Sequence, residues 1–280
     1  MFGGEIVNAD SRQVYRGMSI GTGMPPHDSL KRVPHHLYGF LDPSQRYSAA
    51  RFAADAARIT RDICMRGKLA IIVGGTGFYI EALTGRMPLD RPPPDEALRA
   101  RLRLESSVHP PKFLWDWLRV KAPSIAAGAR PSDSYRILRG LERAMSDVLP
   151  DRLERDACSD IRFVVVRMSL PREELRRRIA LRVHEMFRAG LMQEARTVRA
   201  GAPGAPALSG LGYTEALALW DGCATEQEAI RRTIARTEQY SKRQETWFRH
   251  MRDVPIIDAL DEERATASIV ALARERLVPA

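Results

Sequence analysis

The run Leu69 to Val73 is apolar and rich in β-branched residues, and it leads through Gly74-Gly75-Thr76 into a helical pattern reaching about Leu83. An unbroken apolar run bounded by glycines reads as a buried strand, because a strand with one wet face would alternate. Strand, glycine turn and helix in immediate succession form one βα unit, which commits the chain to an α/β fold on a parallel sheet. Glu5 to Ala9 reads as a second strand, ending in Asp10-Ser11 and followed by a turn of helix.

The remaining pattern extends this plan. Ser48 to Met65 places Phe52, Ala56, Ile59 and Ile63 at helical spacing, with Gly67 as the stop. Pro88 to Pro94 is a proline-rich break. From about Asp95 to Val148 the pattern is helical with no strand signal, and Arg130 to Asp133 reads as a loop and N-cap before a Tyr135 to Met145 helix. Ile161 to Met168 returns to a strand. Pro171 stands at a helix start, and Leu175, Ile179, Val183, Met186 and Phe187 form that helix's apolar face. A long helix from Glu226 to about Met251 and a last strand at Val254 to Asp258 complete the chain. The expected organisation is an α/β core made of residues 1–91 and 161–280, with an all-helical insertion over 92–160.

A net charge of +9 over 280 residues favours polyanions: nucleic acid, acidic membrane or phosphorylated metabolites. Charge alone does not choose among them. Cys64, Cys158 and Cys223 are far apart and form no CxxC, so neither a disulfide framework nor a zinc site is readable, and each is expected to be a small buried apolar residue. His35-His36 has no metal-ligand spacing, and no metal-binding residue is assigned. With no transmembrane-length apolar run and no secretory signal, a cytoplasmic chain is expected.

Three segments are chemically suggestive. Asp10 lies where a parallel strand ends, the edge at which open α/β sheets bind ligands, and could act as a general base; Asp10 or Ser11 could equally cap the helix after it. Gly74-Gly75-Thr76 could bring backbone N–H groups and a hydroxyl to an anion, although a tight turn needing glycine for its dihedrals is the preferred reading of that motif alone. On the C-terminal helix, Arg231, Arg232, Arg236, Lys242, Arg243, Arg249 and Arg252 interleave with Tyr240, Trp247 and Phe248. Cations with aromatics suit phosphates and splayed bases, while the aromatics also read as core.

Taken together, five segments resemble the tRNA dimethylallyltransferase (isopentenyl-tRNA transferase) family: IVNADSRQVYRGMSIGT (6–22), PHHLYGFLDPSQRYSAARF (34–52), IIVGGTGFYIEAL (71–83), SDSYRILRGLE (132–142) and YSKRQETWFR (240–249). They occur in the family's order across nearly the whole chain. The resemblance implies a P-loop-kinase-like parallel sheet flanked by helices, magnesium as cofactor, and transfer of a dimethylallyl group from dimethylallyl diphosphate to the exocyclic amine of the adenosine 3′ to the anticodon in tRNA. It implies that Asp10 accepts a proton from that amine or orients it, and that Thr76 helps position the base. Asp10, Ser11, Arg12 and Gln13 would line the base pocket. Arg99, Tyr135, Arg136, Ile137, Leu138 and Arg139, with Lys242, Arg243, Gln244, Glu245, Thr246, Trp247, Phe248 and Arg249, match positions that touch tRNA. The insertion would hold the anticodon stem, and a monomer is expected.

There are departures from the family pattern. The family's Gly-rich phosphate loop belongs roughly twenty residues before Asp10, and no segment of this chain supplies it. The residues that hold the diphosphate are therefore unassigned. Met24 stands where a lysine is common, and Glu238 where an arginine is frequent. The alternative is a catalytically impaired tRNA-binding remnant. A prenyltransferase of free adenine nucleotides would not need the insertion, and a kinase would require the loop outright.

Overall fold

A computed structural model describes residues 3–86, 95–146 and 160–277. In chain order the elements are β1 (Glu5–Asn8), α1 (His27–Arg32), β2 (His35–His36), α2 (Ala49–Met65), β3 (Ala70–Val73), α3 (Gly77–Leu83), α4 (Glu96–Val108), α5 (Pro111–Lys121), α6 (Pro123–Ala126), α7 (Ser134–Met145), β4 (Arg167–Ser169), α8 (Arg172–Arg188), α9 (Leu191–Gly201), α10 (Tyr213–Trp220), α11 (Glu226–Arg249), β5 (Ile256–Asp258) and α12 (Glu262–Leu277). The chain divides into two compact units, residues 1–87 with 157–280, and residues 88–156. Among the described residues no helix is long and apolar enough to cross a membrane.

The larger unit is α/β. Its three-stranded sheet is parallel with order β2-β1-β3, and Ile6 pairs with both His35 and Ile71. A second parallel pair joins β4 to β5, Met168 opposite Ile257. Helix α2 starts where the Ser48 hydroxyl accepts the Arg51 amide at 3.1 Å. Its apolar stripe then packs on the sheet, with Phe52 stacked on Tyr79 of α3 at 4.2 Å between centroids. A second core forms where Ile179, Val183 and Phe187 of α8 meet Leu191, Tyr213 and Ala229. Helix α11 opens on a reciprocal cap: the Thr225 hydroxyl accepts the Glu228 amide, and Glu228 accepts the Thr225 amide.

In the smaller unit the described residues, 95–146, form helices and short connections. Leu102, Leu114, Leu118, Ala126, Ile137 and Leu141 form its core, and the Asp133 carboxylate caps α7 by accepting the Arg136 amide at 3.1 Å.

Several sequence expectations change. No helix follows Asp10; residues 11–17 run through turns and bends, the Asp10 carboxylate satisfying the Arg12 and Gln13 amides locally. β3 is an edge strand rather than a buried one, with Ile71 43% and Val73 48% exposed. Of the Ile161 to Met168 strand, only its last two residues join a ladder; Ile161 and Phe163 instead meet the α2–α3 core as extended chain. Cys64 and Cys223 are exposed, one on the solvent side of α2 and one in the turn after α10. Cys158 and the Pro88 to Pro94 break lie outside the described residues.

Candidate active site

Central strand β1 delivers Asp10 to the carboxyl edge of the sheet, where the Ala9 amide donates to Val73 O at 2.7 Å. Asn8 fixes the backbone there. Wholly buried, it donates through Nδ2 to the carbonyls of Asp10 (3.1 Å) and Leu37 (2.9 Å), and its Oδ1 accepts the Asp10 amide at 2.8 Å. Asp10 Oδ1 then accepts the amides of Arg12 (2.7 Å) and Gln13 (3.4 Å). Among the described residues Oδ2 accepts no hydrogen bond. One carboxylate oxygen thus organises the turn while the other remains available to a ligand.

Thr76 meets this turn from the neighbouring strand. Its Oγ1 accepts the Ser11 amide at 3.0 Å and donates to the Ser11 hydroxyl at 3.2 Å. The Thr76 hydroxyl therefore ties the two strand ends together and does not cap α3. The glycines before and after it serve close approach, not unusual dihedrals. A Cβ on Gly74 would lie 2.2 Å from the Ala9 carbonyl carbon, and one on Gly77 would lie 2.2 Å from the Trp247 ring; neither has a positive φ.

Three phenols feel the charge of Asp10. Burial, and then the charge of Asp10, push up the hydroxyls of Tyr38 and Tyr240. Tyr79 is pushed up by burial first, with Tyr15 and Asp10 adding to it. All three stay neutral beside the carboxylate. Arg12 reaches toward Ser209 Oγ at 3.5 Å, and Gln13 Nε2 donates to the carbonyls of Thr22 (3.2 Å) and Gly23 (2.9 Å).

The KRQETWFR segment divides by helical phase. Gln244 turns inward, its Nε2 donating to Gly75 O at 2.9 Å, and Trp247 packs on Gly77 and Phe78. Phe248 is half-buried. Lys242, Arg243, Glu245, Thr246 and Arg249 are exposed. Arg243 lies over the Tyr240 ring, Glu245 pairs with Arg249 at 3.0 Å, and the Thr246 hydroxyl bonds back to Lys242 O. A cleft of about 880 Å³ opens beside Gly75, lined by Arg167, Arg172, Arg176, Lys242 and Arg249 against Glu238 and Glu245. Glu238 faces Arg176 at 3.6 Å.

In the helical unit, Tyr135 and Arg136 are exposed at the start of α7, and Leu138 is half-buried. Ile137 is fully buried, so its side chain has no surface to offer RNA; at the second turn of an amphipathic helix it falls on the core face. Arg99 and Arg139 converge on the buried Glu142 carboxylate, at 2.9 and 2.5 Å.

An IPP transferase family model matches residues 13–251. The tRNA dimethylallyltransferase of Thermomicrobium roseum is 38% identical over 265 residues, covering 92% of this chain and 79% of that protein. The chain belongs to the IPP transferase family. Another tRNA dimethylallyltransferase, from Anaeromyxobacter sp. strain K, is 40% identical over 281 residues, covering 99% and 90%. The solved tRNA isopentenylpyrophosphate transferase of Bacillus halodurans has a TM-score of 0.70 at 32% identity, covering 99% of this chain and 89% of that one.

In this IPP transferase, sequence reasoning missed Asn8, which locks Asp10, and the inward turn of Gln244. An Asx pair two residues apart at a strand end was a readable signal for the first. Nothing local marks the second, because Gly75 lies 169 positions from Gln244.

Proposed function

We propose that this IPP transferase moves the dimethylallyl group of dimethylallyl diphosphate onto the exocyclic amine of the adenosine 3′ to the tRNA anticodon, with Asp10 as proton acceptor. The observation that carries the reading is the divided carboxylate of Asp10: Oδ1 held by two amides, Oδ2 open, beside the Thr76–Ser11 hydroxyl pair. As the amine nitrogen bonds to C1 of the allyl group, the C1–O bond to diphosphate breaks. The amine proton passes to Oδ2, and diphosphate leaves with the bonding electrons. An aromatic amine is a weak nucleophile, so a positioned carboxylate contributes most as charge develops on nitrogen. The neutral, half-buried Tyr38 and Tyr240 would give the extruded purine flat apolar surface, while Tyr79 is committed to the core beneath.

The cationic cleft that begins at Gly75 suits the leaving diphosphate, with Arg167, Arg172 and Lys242 as its holders. Among the described residues no group of three His, Cys, Asp or Glu side chains could hold a metal ion. Magnesium, where it takes part, would supply positive charge to the leaving diphosphate. On the RNA side the reading uses Tyr135 and Arg136 of the helical unit and the exposed Lys242, Arg243 and Arg249 of α11, with Arg99 and Arg139 acting through Glu142. It places a monomeric enzyme in the cytoplasm with its tRNA.

The test is mass analysis of tRNA nucleosides after incubation of the chain with tRNA and dimethylallyl diphosphate. A dimethylallyl adduct on the adenosine 3′ to the anticodon, lost in Asp10→Asn, is expected. Tight tRNA binding with no modified nucleoside would replace this reading with that of a binding remnant.

A further inference from the structure

Glu194, in the first turn of α9, is half-buried and accepts four hydrogen bonds. The donors are the Ser19 hydroxyl (3.3 Å), the Ile20 amide (2.8 Å), the Gly21 amide (2.9 Å) and the Tyr213 hydroxyl (2.6 Å). Among the described residues no cation pairs with it. Burial, then the charge of Glu194 and its hydrogen bond, push the Tyr213 phenol up, so it remains a donor. In the same loop Gly21 leaves no room for a side chain: a Cβ would lie 2.5 Å from the Tyr213 ring. The 19–23 loop is therefore clamped by the Glu194 carboxylate and by the Tyr213 ring together.

That loop is also what holds Gln13. The carbonyls of Thr22 and Gly23 accept both bonds from Gln13 Nε2, and the Gln13 amide donates to Asp10 Oδ1. Hydrogen bonds joined by short stretches of backbone and by the Gln13 side chain thus link Glu194 through the loop to Asp10.

We infer that Glu194 is a positioning residue for the Asp10 carboxylate, acting through the 19–23 loop and Gln13. The inference rests on the prenyl-transfer reading, in which Asp10 accepts the proton. With the loop clamped, Gln13 is held in one rotamer and Oδ1 stays in the turn, which leaves Oδ2 aimed at the amine. Without the clamp, the 3.4 Å bond from the Gln13 amide is lost and Oδ1 is held by the Arg12 amide alone, so the carboxylate is less firmly oriented.

The experiment uses the full chain with Glu194→Gln, which places an NH₂ where an amide donor points, and Tyr213→Phe, which deletes one oxygen and keeps the ring. Gln13→Ala and the Glu194→Gln/Gln13→Ala double complete a cycle. Hydrogen exchange is read at the amides of Ile20, Gly21, Arg12 and Gln13. Single-turnover prenylation of an anticodon stem-loop RNA is read alongside, over a series of dimethylallyl diphosphate concentrations reaching saturation. Faster exchange at all four amides is expected, with turnover reduced roughly ten- to a hundredfold and KM for dimethylallyl diphosphate unchanged. The double variant should be little slower than Gln13→Ala, since both changes act along one route. Two outcomes overturn the inference: loosening confined to Ile20 and Gly21, or additive losses in the cycle. If the unaltered chain forms no prenyl adduct, the reaction reading fails by itself, and exchange at Arg12 and Gln13 still decides whether Glu194 controls the Asp10 turn.

Discussion

Thr76 Oγ1 sits 3.0 Å from the Ser11 amide nitrogen and 3.2 Å from its hydroxyl, joining the carboxyl ends of two adjacent parallel strands through one side chain. A hydroxyl that both accepts and donates in this way holds two turns in register, and the register decides where Asp10 points.

Thr76→Val keeps the shape and removes the hydroxyl, leaving the Ser11 amide without its acceptor. Turnover of prenylation should fall by roughly tenfold or more, since catalytic geometry is sensitive to small misplacements. Thr76→Ser should retain most of it. Single-turnover assays on the same stem-loop RNA compare the two, and equal losses would remove the hydroxyl from the argument.

Asp10→Asn preserves Oδ1 as acceptor for Arg12 and Gln13, so the turn should survive. The open oxygen becomes an amide that cannot take a proton. A loss of about 10²- to 10⁴-fold in turnover is expected, with tRNA affinity held. A matching loss of affinity would mean that Asp10 binds the base and does not act on it.

Arg136 and Arg139 should separate cleanly although they lie in the same helix. Arg136 is exposed, and Arg136→Ala should reduce the salt slope of tRNA binding by about one with no change in melting. Arg139 helps satisfy the buried Glu142, and Arg139→Ala should destabilise the protein by about 1–3 kcal/mol, the range for an under-satisfied buried polar group. Thermal melting beside a salt titration of tRNA affinity distinguishes them.

Glu5 should show itself at acid pH. Arg66 and Lys68, then His36, hydrogen-bond its buried carboxylate and hold it far below the ordinary glutamate value of 4.5. The folded group refuses a proton that the unfolded one accepts, so its stabilisation is complete above pH 4.5 and drains away as the pH falls below it. Glu5→Gln should lower stability at neutral pH and flatten the acid limb of a melting-against-pH curve. An acid limb as steep as before would assign it to other carboxylates.

Gly77→Ala tests the seat of α11. The added methyl meets the Trp247 ring, not a flexible side-chain tip, so either the helix or the glycine turn must move. Loss of turnover with near-normal tRNA binding is expected, read by the same assay and by filter binding.

The sequence determined the parallel-sheet class, the helices α2, α3, α7, α8 and α11 and the place of Asp10 at a strand end, while α1, α9, α10 and α12 were not read from it. Those features arise from local periodicity, caps and turns, which neighbouring residues encode. The tertiary structure alone decided which face each functional residue presents. Ile137 turns into a core while Arg136 beside it faces water, and Gln244 turns toward Gly75 while Lys242 faces out. It also decided that Glu194 reaches a loop some 173 positions away. Packing between distant segments selects one rotamer and one face from several that local chemistry permits, and no short window of residues contains the partner that makes the choice.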